Sequence, residues 1–314
     1  MKPMTLSQGR GYLAIPGPSV IPDEVLQAMH QTAPNIYEGA LVGLTESIVE
    51  DLKWVACSTQ HVAIYIANGH GAWEAALANI AEPGDKVLVA ATGRFGHGWA
   101  EMARRMGISV ELIDFGMQNI AEPAQIAQAL NDDNDRQIKA VLICHVDTST
   151  SVRNDILNVR QAMDAEDHPA LLAVDCIASL ACDRFEFDAW GVDVMVAGCQ
   201  KGLMVPPGLS FVFFSDQAAQ HQKALRHVSA YWDWAPRVAP KVFYEYFCGT
   251  APTHHLFGLR TALDMLKAEG MNHIWTRHKT LSQAIWSAVD IWGQAGGTMA
   301  LNIKNPAHRS HAVT

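Results

Sequence analysis

The chain has 314 residues, enough for one large domain or for a large domain with a smaller one. Hydrophobic residues make up 49% and charged residues 18%, with a net charge of −9 and no cluster of Lys or Arg. This composition supplies a core and argues against a nucleic-acid surface. No apolar run reaches membrane-spanning length, and "MKPMTLSQGRGYLAIPGPS" lacks the apolar stretch and cleavage site of a signal peptide.

From about residue 60, short apolar runs alternate with amphipathic ones. "HVAIYIA" reads as a strand before the helical "NGHGAWEAALANI". Then come strand "KVLVAA" (86–91), helix 96–107, strand "SVELIDF" (109–115), helix 122–131, strand "AVLICHV" (140–146) and helix 154–165. "ALLAVD" (170–175), "DVMVAG" (193–198) and "LSFVFFS" (209–215) are further strands. Continuous apolar strands separated by helices predict an α/β fold with a largely parallel sheet covered on both faces. Two long helices, 255–271 and 272–294, follow, and the final "RSHAVT" reads as a strand just starting. The chain is therefore expected to divide into an N-terminal arm (1–30), a large domain (31–270) and the incomplete start of a small C-terminal domain (271–314). Cysteines 57, 144, 176, 182, 199 and 248 show no CxxC spacing, and they read as reduced core thiols of a cytoplasmic protein rather than zinc ligands or disulfides.

In such sheets ligands bind beyond the carboxyl ends of the strands. Asn68, Gly69, His70 and Gly71 open a helix there, and small residues at that position leave N–H groups free for an anion. An ordinary N-cap fits the same residues. Glu74 stands where a dinucleotide fingerprint needs glycine, and the P-loop GK[ST] is missing. Asp175 ends a buried strand; Asp147, Thr148, Ser149 and Thr150 follow another; Phe95 marks a loop-to-helix junction. Each fits a structural role too: Asp147 and Asp175 as helix caps, Thr148 to Thr150 as a turn, Phe95 as core. His70, His97 and His145 read as packing or hydrogen-bonding residues. "GCQKGLMVPPGL" (198–209) places Lys201 at the hinge between two core strands, where an ordinary hydrated lysine has no reason to be.

It is the convergence of these groups on one sheet edge that points to a ligand. Pyridoxal phosphate needs a lysine for its Schiff base, a carboxylate for its pyridinium nitrogen and a cup for its phosphate. Desolvation would favour the neutral amine of Lys201, Asp175 would face the ring nitrogen, and Phe95 would stack on the ring.

The sequence resembles the class-V aminotransferases of fold type I, in the branch of alanine–glyoxylate and serine–glyoxylate aminotransferases. The resemblance runs from "AIPGPSVIPDEVLQAM" (14–29) to about residue 285. It is carried by "NGHGAWEAALANIAEPGDKVLV", "LLAVDCIASL" and "VAGCQKGLMVPPGLSFVFFS", and by the spacing of 26 residues from Asp175 to Lys201. It implies a mostly parallel seven-stranded sheet, Lys201 as the Schiff-base lysine and Asp175 as the partner of the pyridine nitrogen. Asn68, Gly69, His70 and Gln200 would serve the phosphate site, Thr148 the phenolic oxygen side and Phe95 the ring face. A homodimer with shared active sites is implied, with Thr250 reaching the neighbouring subunit's phosphate and Phe247 at the same interfacial site.

Some positions depart from the family pattern. Phe95 stands where tryptophan is frequent, Phe247 where the family has a tyrosine, and Asn68 where Ser or Thr is usual. "PNIYEGALVGL" (34–44) differs from bacterial relatives, which leaves the choice of substrate open. The family's substrate-carboxylate arginine belongs to an "R-I-G" motif expected beyond residue 314, and Arg94 is a secondary candidate for that task. The expected activity is transfer of an amino group from a small amino acid (alanine, serine, aspartate or similar) to a small 2-oxoacid such as glyoxylate. A lyase or desulfurase of the same fold, or a non-catalytic relative, is the alternative.

Overall fold

A computed structural model describes residues 13–294 and 296–314. Of the expected N-terminal arm, residues 1–12 lie outside the described residues. The elements run α1 (Asp23–Met29), α2 (Ala40–Ala56), β1 (His61–Tyr65), α3 (Gly69–Ile80), β2 (Lys86–Ala91), α4 (Arg94–Arg105), β3 (Ser109–Asp114) and α5 (Pro123–Asp132). They continue with β4 (Ile138–Cys144), β5 (Val146–Asp147), β6 (Val152–Arg153), α6 (Ile156–Ala165), β7 (Leu171–Asp175), β8 (Val194–Gly198) and β9 (Ser210–Phe214). Then follow α7 (Asp216–Gln222), α8 (Ala235–Val238), a 3-10 turn (Phe243–Phe247), α9 (Thr253–Glu269), α10 (Met271–Trp292) and a last 3-10 turn (Pro306–His308).

Seven strands form one sheet in the order β1-β9-β8-β7-β4-β2-β3, and β9 alone runs against its neighbours. The expected largely parallel, doubly covered sheet is what the chain builds. Side chains along a strand alternate between faces, and here both sets are buried. Val62, Ile64, Leu88, Ala90, Val141, Ile143, Leu172 and Val174 pack into one core. Their neighbours Ala63, Tyr65, Val87, Val89, Ala140, Leu142, Leu171 and Ala173 pack into the other. Two-sided burial explains why the strands read as unbroken apolar runs. At the β1 edge, the buried Arg237 guanidinium donates to the carbonyls of Ile64, Tyr246 and Tyr231 and lies 4.2 Å over the Tyr65 ring. It ties an edge-strand carbonyl to the loop after α7 and to the 3-10 turn Phe243–Phe247.

Three details differ from expectation. First, α4 starts at Arg94, two residues early, because Asp147 accepts from the N–H groups of Phe95 and Gly96 at 2.9 and 3.2 Å. A cap that comes from 51 residues away leaves no local signature. Second, the run 140–146 ends at Cys144, and the polar residues after it form the turn of the small β5–β6 hairpin. Third, "RSHAVT" is not a strand: Arg309 makes a single bridge to Val152, and the segment then docks on buried Asp183. That carboxylate accepts from Ser310 Oγ at 2.7 Å and from the N–H groups of His311 and Ala312 at 3.0 and 3.2 Å, so the backbone donors a strand would share with a neighbour are already used.

The loops at the carboxyl edge are tightly fitted. A Cβ at Gly202 would run into the Leu180 carbonyl oxygen and come within 2.9 Å of Cys182 Sγ. The loop after β8 can therefore close on the loop after β7 only because residue 202 has no side chain. Gly202→Ala should destabilise the protein by about 1–3 kcal/mol through overpacking, read from urea unfolding. A loss below about 0.5 kcal/mol, the ordinary range of a surface change, would show that these loops give way freely.

Candidate active site

A cavity of about 290 Å³ opens where the ends of β1, β2, β4, β7 and β8 converge, near the lower bound for small-molecule sites. Asn68, Gly69, His70, Phe95, Thr148, Asp175, Gln200 and Lys201 all line it. They follow or end β1, β2, β5, β7 and β8, so the topology brings together residues far apart in sequence.

Asp175 ends β7 and is 3% exposed. Its Oδ1 accepts from Ile177 N–H at 2.7 Å, and its Oδ2 accepts from Trp73 Nε1–H at 2.8 Å. Burial nevertheless wins over these donors, and the carboxyl pKa is pushed up to about 7. Lys201, half-buried in the loop after β8, is shifted the other way: burial lowers its pKa, and Asp175 restores only part of that. Both members of the pair are thus driven toward their neutral forms. A neutral amine is what nucleophilic attack requires, and a buried carboxylate of raised pKa is a natural partner for a further cation.

The other expected residues divide. Asn68 is the N-cap of α3: its side chain accepts from the N–H groups of His70 and Gly71 at 3.1 and 3.3 Å. Two of the groups expected to be free for an anion are therefore held by Asn68. At Gly69 a Cβ would come within 2.5 Å of Ile177 Cδ1, so glycine lets the helix start press against the loop after Asp175. Phe95 stands edge-on to Trp73 with ring centroids 6.1 Å apart. Gln200 Oε1 is buried without a hydrogen-bond partner. Thr148 sits at the hairpin turn and faces the cavity.

Phe247 and Thr250 do not line this cavity. Phe247, expected at an interfacial phosphate site, is 1% exposed and packs against Phe243 and Tyr246 in its own core; an apolar ring has no reason to leave it. Thr250 is exposed. Arg94 is exposed and absent from the cavity lining; its backbone N–H donates to Ser149 Oγ. His145 is buried against Ser179 Oγ at 2.9 Å, with its pKa lowered to about 4 by burial. His97 pairs with Asp114 at 3.2 Å. Cys176 and Cys199 are buried, and burial raises both thiol pKa values, that of Cys199 to about 11. Neither is the mobile, acidic thiol that desulfurase chemistry would need.

Two contributions were not foreseen. Trp73 lies four residues after Gly69 and so on the same helix face, a spacing that could have been read. The second is the extended segment around "IPGPS": Pro16 carbonyl accepts from Lys201 Nζ at 2.7 Å, and Gly17 and Pro18 line the cavity. Ser19 N–H donates to Gln200 O at 2.9 Å, and Ser19 Oγ donates to Lys201 O at 2.9 Å. Nothing local to those residues announces a contact more than 180 positions away.

Residues 11–309 match the family model for class-V aminotransferases. The chain belongs to the class-V aminotransferase family. It is 38% identical to a serine–glyoxylate aminotransferase of Methylorubrum extorquens over 99% of this chain and 77% of that protein. It is 34% identical to an L-aspartate–glyoxylate aminotransferase of Paracoccus denitrificans over 89% of this chain and 70% of the relative. A solved alanine–glyoxylate aminotransferase from Nostoc sp. superposes with a TM-score of 0.85 at 26% identity, covering 98% of this chain and 82% of that one. Class-V aminotransferases of this fold type are enzymes that depend on pyridoxal 5′-phosphate. The residues here suit that cofactor: an amine depressed toward neutrality, a buried carboxylate in need of a cation, an aromatic face and a helix N-terminus border one cavity.

The raised pKa of Asp175 has a consequence for the cofactor-free protein. Between the ordinary carboxyl value near 3.8 and about 7, the folded state holds a proton that the unfolded state has released. Stability from this group is complete below that window and is lost as pH rises through it. Urea unfolding of the apoprotein should show stability falling by a few kcal/mol across it, and Asp175→Asn should remove that component. An unchanged pH profile in the variant would show that Asp175 does not carry the shift.

Proposed function

We propose that this class-V aminotransferase moves an amino group from a small amino acid to a small 2-oxoacid, with glyoxylate as the acceptor and serine, alanine or aspartate as the donors to test first. The carrying observation is that Lys201 and Asp175 border one cavity with their proton affinities shifted in opposite directions. The names of the serine–, aspartate– and alanine–glyoxylate relatives support the substrate class.

When bound, pyridoxal phosphate supplies an aldehyde that condenses with amines and a cationic ring that draws electrons from the substrate's Cα. Lys201 Nζ would hold the cofactor and, as a neutral amine, would carry the proton taken from the substrate's Cα. Asp175, in its charged form, would favour a protonated ring nitrogen. Phe95 and Thr148, which line the cavity, would offer an aromatic face and a hydroxyl to the cofactor. Gly69, His70 and Gln200 serve the phosphate, together with the α3 N-terminus that Asn68 orders.

The reading extends to assembly. Thr250, exposed and on a turn just before α9, is suited to reach the cofactor phosphate of a second copy, so the functional unit is a homodimer with shared sites. Phe247 takes no part in that contact. Six free cysteines, four of them buried, fit a reducing, cytoplasmic setting. Gly270, with φ +84 between α9 and α10, is a suitable boundary between a large domain and the residues that follow it.

Borohydride reduction of the loaded protein followed by peptide mass spectrometry should place a pyridoxyl adduct on Lys201, and an adduct on any other lysine would sink the assignment. Lys201→Ala should lose the adduct and lower transamination by about 10²–10⁴-fold or more. Asp175→Asn should keep the adduct and lose most of the rate. A wild-type protein that turns over none of the three donors with glyoxylate would overturn the substrate reading.

Thr250→Ala should weaken cofactor retention without abolishing the Lys201 adduct. Scattering that shows a monomer holding the cofactor tightly would rule out the shared site.

A further inference from the structure

We propose that Trp73 is a positioning residue for Asp175: its indole N–H fixes the carboxylate and favours the charged form that a pyridine nitrogen requires. This rests on the reading of Asp175 as the partner of that nitrogen.

The two donors to Asp175 differ in kind. Ile177 N–H lies two residues along the same turn, so its bond to Oδ1 comes with the local backbone. Trp73 Nε1–H reaches Oδ2 at 2.8 Å from another element, 102 residues away. The indole is held in place for that contact. It stacks on Trp99 at 6.0 Å and 14°, and the His70 ring tilts against it at 4.7 Å. A Cβ at Gly98 would come within 3.2 Å of the indole, so that glycine lets α4 approach it closely.

A buried indole N–H usually finds an acceptor, so the bond could be ordinary satisfaction of a polar group. The rest of the chain argues otherwise. Among the described residues, the Nε1 atoms of Trp99, Trp234 and Trp275 are buried with no hydrogen-bond partner, and the only other indole bonded to a carboxylate is that of half-buried Trp232, which reaches Glu74 at 3.1 Å away from the Asp175 contact. A fold that leaves three such groups unpaired gives this one a carboxylate, at the wall of the cavity.

The charges around Asp175 show why the bond matters. Lys201 faces it from the loop after β8 and favours the carboxylate, while Asp147 from β5 opposes it. The thiols of Cys144, 4.0 Å from Oδ2, and of adjacent Cys176 are kept neutral by burial. His70 lies on the indole rather than on the carboxylate. Because burial also draws Lys201 toward neutrality, the two N–H donors are the steadiest groups favouring charge. Hydrogen bonds to charged groups are strong enough that removing one should move the Asp175 titration upward by about one to two pH units.

The test uses the apoprotein, so it does not depend on turnover. Urea unfolding across pH should show the fall in wild-type stability continuing about one to two pH units higher in Trp73→Phe, which keeps an aromatic ring and removes the donor. If Trp73→Phe follows the wild-type profile while Asp175→Asn flattens it, the inference falls and the reading of Asp175 stands. If Asp175→Asn leaves the profile unchanged, both fall. A second measurement needs no Trp73 variant. In the wild-type apoprotein, the ¹⁵N-indole resonance of Trp73, assigned by triple-resonance spectra, should titrate with a midpoint at about 7, where burial places Asp175. A Trp73 resonance that stays fixed through that pH range would overturn the proposal.

Discussion

A carboxylate buried at the tip of the central strand sets the terms for this protein. β7 is fourth in an order of seven, so Asp175 lies far from either sheet edge and from the water that would solvate it there. Taking a carboxylate out of water is costly, and its charged form survives only if donors or cations replace the lost solvation. The chain supplies two N–H donors and a nearby amine, and even together they leave the pKa near 7. The remaining deficit makes the cavity hospitable to a cationic ring nitrogen, because that partner would relieve a cost the fold has already incurred. Affinity for such a cation and instability without it would then be two faces of one desolvation.

The surrounding architecture can be understood as the means of sustaining that arrangement. Parallel strands end at the same edge, so one topology delivers residues from β2, β4, β7 and β8 to a single place. Contacts across that edge then fix each group in turn. Asp147 caps α4 and sets the position of Phe95, Asn68 caps α3 and sets Gly69 and His70, and the segment Pro16–Ser19 lies against Lys201. Glycine at 69 and 202 makes the close approaches possible, since a single methyl at either would push into a neighbouring loop.

Much of this was legible in the sequence because its cause is local. Unbroken apolar strands betray two-sided burial, and a lysine between two such strands betrays a special environment. What could not be read came from partners distant in sequence. The early start of α4 depends on Asp147, the hold on Asp175 depends on Trp73, and the fold of 309–314 depends on Asp183. Phe247 shows the limit of reading by position. The family pattern placed it at an interface, but a phenylalanine beside Phe243 and Tyr246 gains more by burying its ring than by facing a phosphate it cannot bond.

The site also separates what must stay still from what must move. Asp175 belongs to a strand paired on both sides, and both of its oxygens are tied to donors. Lys201 belongs to a loop, its amine rests on a single main-chain carbonyl, and its stem has four rotatable carbons. A Cβ at Gly17 would come within 2.6 Å of Lys201 Nζ and Cδ, so the arm beside it is kept bare where the side chain lies. In the proposed roles, an acid that would hold a ring needs rigidity, whereas an amine that would attach, leave and move a proton needs reach. The chain meets the first need with strand and indole and the second with loop and glycine. That division follows from where in the sheet each residue was placed.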